Sequence, residues 1–246
     1  MKRFFLILIS CFVAFVASAQ NNATSSTSPS APEQAVPIVK TDWLRPFNSV
    51  KIDGPMKVVF TQTDAPESVR IIYDTKGSID SKFKFEIDKK GTLVVSERPD
   101  PKRTELTEVT IYYNSLSDIK IAHAKAEFTE KIQRDILDLS VSGGAIVSLE
   151  IETLDVAIEC TGQSRLSLTG STKYLTMRAS TAKIDCSGLS TVSSTIDGSN
   201  SAEIRLVVSE RLEATTSTGA KLLYKGHPII LRDHAVIFGG DIININ

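Results

Sequence analysis

Seven carboxylates in the second half of this 246-residue chain, Glu150, Glu152, Asp155, Glu159, Asp185, Asp197 and Glu203, have the most evident chemical reach. Paired a few ångströms apart, such groups cleave glycosidic bonds, one as the acid and the other as nucleophile or base. Gathered around calcium they serve lyase-type chemistry. The only imidazole bases are His123, His227 and His234. No His-Glu-x-x-His run occurs, and no serine sits in Gly-x-Ser-x-Gly. Cys160 and Cys186 lack the paired spacing of zinc ligands. The pairs Gly143-Gly144 and Gly239-Gly240 lack the strand, loop and helix context of a phosphate cradle. Trp43, Tyr73, Tyr112, Tyr113, Tyr174 and Tyr224 offer flat rings for stacking on sugars, beside rows of Ser, Thr and Asn hydroxyls and amides.

Whether any of these groups meet depends on a repeat that fills Leu116 to Gly226. A small residue followed two places later by an apolar one recurs at nearly constant spacing as Ala126/Phe128, Ala145/Val147, Ser164/Leu166, Ala182/Ile184, Ala202/Ile204 and Ala220/Leu222. A period of about 19 residues holding only short alternating strands is too brief for helical repeats and predicts stacked β-coils. Within a rung, Cys160, Gly162, Ser164, Leu166 and Leu168 share one parity, so the aliphatic members point inward together. Small residues suit the corners, and Ser142, Thr161, Ser180 and Ser217 are placed to satisfy backbone groups there. The apolar members Phe128, Val147, Leu166, Ile184, Ile204 and Leu222 are expected to form one column. The seven carboxylates fall at different repeat positions, so stacking does not gather them, and the solvated outer face is the expected place for each.

The N-terminus reads as an export signal. Lys2 and Arg3 precede the apolar run Phe4 to Val16, and Ala17-Ser18-Ala19 forms a small-residue cleavage site. Cys11 lies inside the apolar run, which argues against lipidation there. No later segment approaches the roughly 18 apolar residues of a transmembrane helix. Loss of Lys2 and Arg3 leaves 26 basic against 29 acidic residues, a net charge of −3, and no basic footprint for nucleic acid. Residues 20–42 are rich in Ser, Thr, Asn, Ala and Pro and read as a flexible linker. Residues 43–115 hold strands and hairpins, with Asp88-Lys89-Lys90-Gly91 as a turn, and read as a cap or side sheet whose Phe47–Val58 stretch resembles a first rung. Residues 116–246 form the solenoid, with the apolar tail from Ile229 to Ile245 closing its far end or meeting a second copy. Cys160 and Cys186 fall at different coil positions, which favours two packed thiols over a bridge.

The fold class is therefore all-β, a single-stranded β-solenoid or β-helix of about six rungs with an N-terminal strand and hairpin cap. Phe47-x-x-Val50-x-Ile52-x-Gly54, the Ser-Gly and Thr-Gly corners, and Gly219-Ala-Lys-Leu222-Leu-Tyr224-Lys-Gly226-His-Pro228 resemble the GIN domain, the head domain of autotransporter-type adhesins in exported proteins of Bacteroidota-type bacteria. The resemblance spans Phe47 to the C-terminus. It implies an envelope or surface location and an adhesive role, with no catalytic, cofactor or metal residues to carry over. No alternating lipid-facing strands follow the repeat, so self-export through a barrel is not expected of this chain. The expectation is an exported, non-catalytic protein that binds a glycan or an envelope or host surface protein, its ligand residues unassigned. The rivals are a carbohydrate-active β-helix enzyme and a ligand-free envelope scaffold.

Overall fold

The computed structural model describes residues 39–77, 82–235 and 239–246. The expected signal peptide, Cys11 and most of the expected linker lie outside the described residues. Nine short strands come first: β1 (Lys40–Trp43), β2 (Ser49–Asp53), β3 (Met56–Gln62), β4 (Arg70–Asp74), β5 (Phe83–Ile87), β6 (Thr92–Glu97), β7 (Thr107–Tyr113), β8 (Asp118–Ala122) and β9 (Lys125–Phe128). Five long ones follow, β10 (Ile132–Ser142), β11 (Ile146–Thr161), β12 (Arg165–Ser180), β13 (Lys183–Ser199) and β14 (Glu203–Thr216), and then β15 (Lys221–Lys225), β16 (Ile230–Ala235) and β17 (Asp241–Asn244).

Each long strand is most of a coil. In β11 and β12 the pairing runs through Thr153↔Thr172, skips Leu154, and resumes at Asp155↔Tyr174, so the strand bends there and its halves lie on two different faces. Thr153 Oγ1 donates to Thr172 Oγ1 at 2.9 Å, and the buried Thr191 hydroxyl lies 2.8 Å from that of Ser194, so hydroxyls satisfy the interior of the bend. At the opposite edge the chain turns through left-handed residues, among them Gln163 (φ 63), Thr181 (φ 54) and Ser201 (φ 61). A side chain resists that conformation, but the coil above holds it: Gly162 N–H donates to the Ser180 carbonyl at 3.2 Å and Gln163 N–H to the Thr181 carbonyl at 2.7 Å. Corner glycines are therefore dispensable, as at Ser180-Thr181-Ala182. The buried Ser164 donates to the Thr161 carbonyl at 2.6 Å, closing its own corner.

All coil-to-coil pairings are parallel, and the register is continuous except for shifts between β12 and β13 at Ser167/Thr169 and between β13 and β14 at Cys186/Ser190 and Thr191/Ser193. Face one carries, in stacking order, β6, β2, β8, then the second halves of β10 to β14, then β16. Face two carries β7, β3, β9, the first halves of β11 to β14, β15 and β17. The six sequence-read rungs thus gain two coils at one end and one at the other. At the N-terminal end the order is inverted, since β6 and β7 lie outside β2 and β3 although they follow them in the chain. Beyond them β4 pairs antiparallel with β7, β5 with β6, and β1 with β4, which covers both outer edges. The buried Glu97 carboxylate fills the corner of this outermost coil, bonded by Arg103 at 2.5 Å and by the Thr107 hydroxyl at 2.7 Å, while Arg103 also reaches the Thr75 carbonyl.

Four expectations need correction. The column is Val58, Ala126, Val147, Leu166, Ile184, Ile204, Leu222 and Ile242, with Ala126 where Phe128 was expected. The left-handed corner residue of that coil is His123, so Ala124 is the corner residue and this coil is longer than the ones that follow it. Phe128 instead stacks flat on Phe60, ring centroids 4.4 Å apart. Strand order begins at Lys40, inside the expected linker, because β1 pairs with β4. The C-terminal tail does not fold across the end; β16 and β17 prolong both parallel ladders by one coil. The strands between residues 43 and 115 are not all a cap, since β2, β3, β6 and β7 are coils of the stack.

The interior is one aliphatic ladder system from Val50 to Leu222. Each fully buried Leu or Ile contributes about 1.5 to 3 kcal/mol. Cys160 and Cys186 are free and buried within it, Cys160 between Val141 and Ala179 and Cys186 beside Leu206.

Candidate functional site

Parity sends every second residue outward, and the register then aligns the outward residues into columns up each face. On face one, one column reads Ser49, Asp118, Asp138, Ala157, Thr176, Thr195, Glu213, Arg232, and its neighbour Lys51, Lys120, Ser140, Glu159, Arg178, Asp197, Thr215, His234. Between them run two shallow hollows of about 450 Å³ each, which share Thr176 and Arg178 and so form one furrow from Asp118 to Arg232. Six steps of about 4.8 Å give it a length of about 29 Å. Its floor is Ala157, Thr176 and Thr195, small enough for an extended ligand to lie close to the backbone. On the rim stand the exposed Ile136, Leu154 and Tyr174, with the Lys173 ammonium 5.3 Å from the Tyr174 ring centroid.

The sequence-weighted carboxylates divide between the faces. Asp155, Glu159 and Asp197 are outward on face one, and Glu150, Glu152, Asp185 and Glu203 on face two, so the seven do not converge. Glu159 and Asp197 share a column with Arg178 between them. Sequence reasoning missed Asp118 and Asp138, which stack directly, because the longer coil between them hides their alignment. Where carboxyls on these faces are shifted, they are shifted down, away from the range of a general acid at neutral pH. Lys131 and then Gln133 bonding holds Glu152 below the usual carboxylate range, the Ser187 hydroxyl and N–H do so for Asp185, and Arg211 with Arg232 for Glu213.

His123 Nδ1 lies 2.9 Å from Asp53 Oδ1, and its ring lies against Gly143 at an exposed corner. His227 lies against the Asn246 amide, and His234 ends the furrow, far from His123. The aromatic candidates also scatter. Tyr113 and Tyr224 are buried, and burial, then the Glu130 charge, pushes the Tyr113 phenol up to about 12. Alternation turns Tyr112 outward, where Arg70 lies over its ring at 3.7 Å and over Trp43 at 5.5 Å. Tyr73 packs with Phe83 and Phe85. Those three rings line a hollow of about 610 Å³ against β6, whereas Tyr174 stands exposed in the column beside the furrow, opposite Asp155.

The motif residues serve the winding. Phe47, Val50 and Ile52 are buried, and Gly54 (φ 132) turns β2 into β3 so close to β6 that a Cβ would collide with the Glu97 backbone. No helix among the described residues is long and apolar enough to cross a membrane.

The same fold occurs in solved structures. A putative adhesin from Bacteroides fragilis superposes with a TM-score of 0.72 at 17% identity, over 84% of this chain and 97% of that one. One from Parabacteroides merdae gives 0.68 at 15% identity, over 87% and 98%. A Parabacteroides distasonis structure described as a putative lipid binding protein gives 0.65 at 11% identity, over 87% and 98%. A search of curated proteins returned no match. The family model described as "putative auto-transporter adhesin, head GIN domain" matches residues 46–228, the first rung through the closing Gly226-His227-Pro228, and the chain belongs to that family.

Proposed function

We propose that this chain is an exported, non-catalytic, adhesin-like protein of the cell envelope that holds a glycan or a surface protein along the furrow of face one. The observation that carries the reading is the furrow: about 29 Å of registered small and polar side chains, walled by Asp138, Glu159 and Arg178 and rimmed by Tyr174, with acceptors and donors spread along its length. A catalytic pocket concentrates perturbed groups at one point, whereas this surface repeats similar contacts from coil to coil. Extended binding also suits a body whose coils stack into one continuous ladder. Membership in a family of adhesin heads supports the adhesive role, and the Lys2-Arg3, apolar, Ala17-Ser18-Ala19 pattern supports export.

The test is the mature chain on an array of envelope and host glycans and on intact cells, with turnover assays on the same polysaccharides. Saturable binding without turnover is expected, weakened about 2- to 10-fold by Tyr174→Ala, the worth of one stacking contact of about 0.5–1.5 kcal/mol. Turnover, or binding indifferent to Tyr174→Ala and Arg178→Ala together, would overturn the reading.

A further inference from the structure

Face two carries a feature unrelated to the furrow. Its outward column nearest the left-handed corners reads Glu108, Lys57, Lys125, Ile146, Arg165, Lys183, Glu203, Lys221, Asp241. Between Lys57 and Lys221 every member except Ile146 and Glu203 is basic and exposed. At about 4.8 Å per coil they form a single file about 29 Å long. Two are loosely paired, Lys57 with Glu108 and Lys183 with Glu203, each at 3.5 Å. Lys125, Arg165 and Lys221 have no ion pair among the described residues. At the middle of the file a depression of about 410 Å³ places Arg165 and Lys183 beside the Ser148 and Ser167 hydroxyls and the exposed Ile146. The nearby Asp185 stays charged but makes no ion pair with Arg165; its carboxylate accepts from Ser187 Oγ at 2.6 Å and Ser187 N–H at 3.0 Å.

We infer that this file is a binding track for a linear acidic polysaccharide, its carboxylates meeting the lysines and Arg165 while its sugar hydroxyls meet Ser148 and Ser167. Arg165 presents the planar fork that takes a carboxylate with two bonds, and Ile146 gives an apolar surface for a sugar ring. Width decides against the rival polyanions. The column beside the file carries Glu127, Asp185 and Arg205, and the next two carry Glu150 and Glu152. A lipid surface or a nucleic-acid duplex laid on face two meets these carboxylates along with the cations, whereas a chain one sugar wide that follows the file from Lys57 to Lys221 meets Glu203 as its one carboxylate. A single-stranded polynucleotide needs aromatic platforms for its bases, and the file and the column beside it contain none.

The experiment titrates sodium polygalacturonate into the mature protein by calorimetry, with dextran, phosphatidylglycerol vesicles and single-stranded poly(dT) as comparison probes. Wild type is expected to bind polygalacturonate in a salt-sensitive manner and to ignore dextran. Lys125→Glu/Arg165→Glu/Lys183→Glu should lose at least tenfold, while Lys89→Glu/Lys90→Glu/Lys102→Glu, with the same change of net charge elsewhere, stays within about threefold. Glu203→Lys, which completes the file between Lys183 and Lys221, should tighten binding severalfold. Circular dichroism melts confirm that each variant is folded. Equal losses in the two triple variants, no binding of polygalacturonate, or vesicles or poly(dT) using the file in its place would overturn the track. Tyr174→Ala should leave polygalacturonate binding unchanged, which separates failure of the track from failure of the furrow.

Discussion

Ile204→Ala probes the winding most economically. Ile204 is fully buried and stacks between Ile184 below and Leu222 above. Truncation removes its branched tip and leaves a cavity walled by ladder-bonded backbone on both sides, which cannot relax inward without breaking register. Such substitutions cost about 2–5 kcal/mol, and because a coil touches only its neighbours, the loss is not shared by the rest of the stack. With a urea slope of about 2–3 kcal/mol per molar, a loss of about 3 kcal/mol lowers the midpoint by about 1–1.5 M. Far-UV circular dichroism is the appropriate probe, since the sole tryptophan, Trp43, is exposed on the capping strand β1. Ile204→Asp adds an uncompensated charge in the core and should prevent soluble expression. Glu203→Lys, one residue away but outward, loses only partly exposed pairs with Lys183 and Arg205 and should move stability by no more than about 1 kcal/mol. An unchanged midpoint in Ile204→Ala, or equal losses at 203 and 204, would refute the assignment of inward and outward residues.

Arg103→Met strands the Glu97 carboxylate inside the outermost coil and should cost about 3–5 kcal/mol by urea titration, whereas Lys51→Met should cost almost nothing. Gly226→Ala, at φ 114 with its new methyl group driven into the Val208 carbonyl, should lose about 1–3 kcal/mol and release the tail first in hydrogen exchange. Burial pushes the Cys160 thiol up to about 12 and Cys186 higher still, so native protein should resist iodoacetamide at pH 8 while unreduced protein in urea takes up two equivalents; no uptake would mean a bridge. Asp74 and Glu108 are held low by Lys76, and Asp100 by Lys82. Their contribution is present above the unfolded carboxyl range of about 4 and is lost as pH falls through the lower folded values, so acid should loosen the N-terminal end first. Lys76→Met should show a smaller drop in stability between pH 6 and pH 3 than wild type.

How much of this was readable beforehand varies along the chain. From Val147 to Leu222 the core column follows from spacing alone, because each coil has the same two faces and corner, and the corner admits only Ala, Ser or Gly inward. The period fails at Ala126, where alanine stands at both the corner and the column position and Phe128 mimics the expected apolar member. Nothing local signals that β6 and β7 stack outside β2 and β3; that order depends on pairings between segments remote from one another in the chain, and alternating strands of this kind fit a hairpin cap equally well. Tyr112 and Tyr113 were separable by parity, although which faced outward was not. The surfaces were least legible. A net charge of −3 conceals the file from Lys57 to Lys221, since its members are separated by at least a full coil of chain and only the register aligns them. Asp118 and Asp138 were hidden for the same reason.

Everything said of both faces depends on that register, and a pair of cysteines tests it. Lys57 and Lys125 are direct partners on neighbouring parallel strands, remote in sequence and both exposed. Partners on paired strands lie about 4.8 Å apart, within the span of about 4.4–6.8 Å between Cα atoms that a disulfide bridges. Lys57→Cys/Lys125→Cys should therefore oxidise quantitatively to an intramolecular bridge in the folded monomer, detected by mass spectrometry of peptides, while Lys57→Cys/Glu127→Cys, which is out of register, stays reduced. Bridging of the second pair, or of neither, would contradict the stacking and with it the furrow and the track.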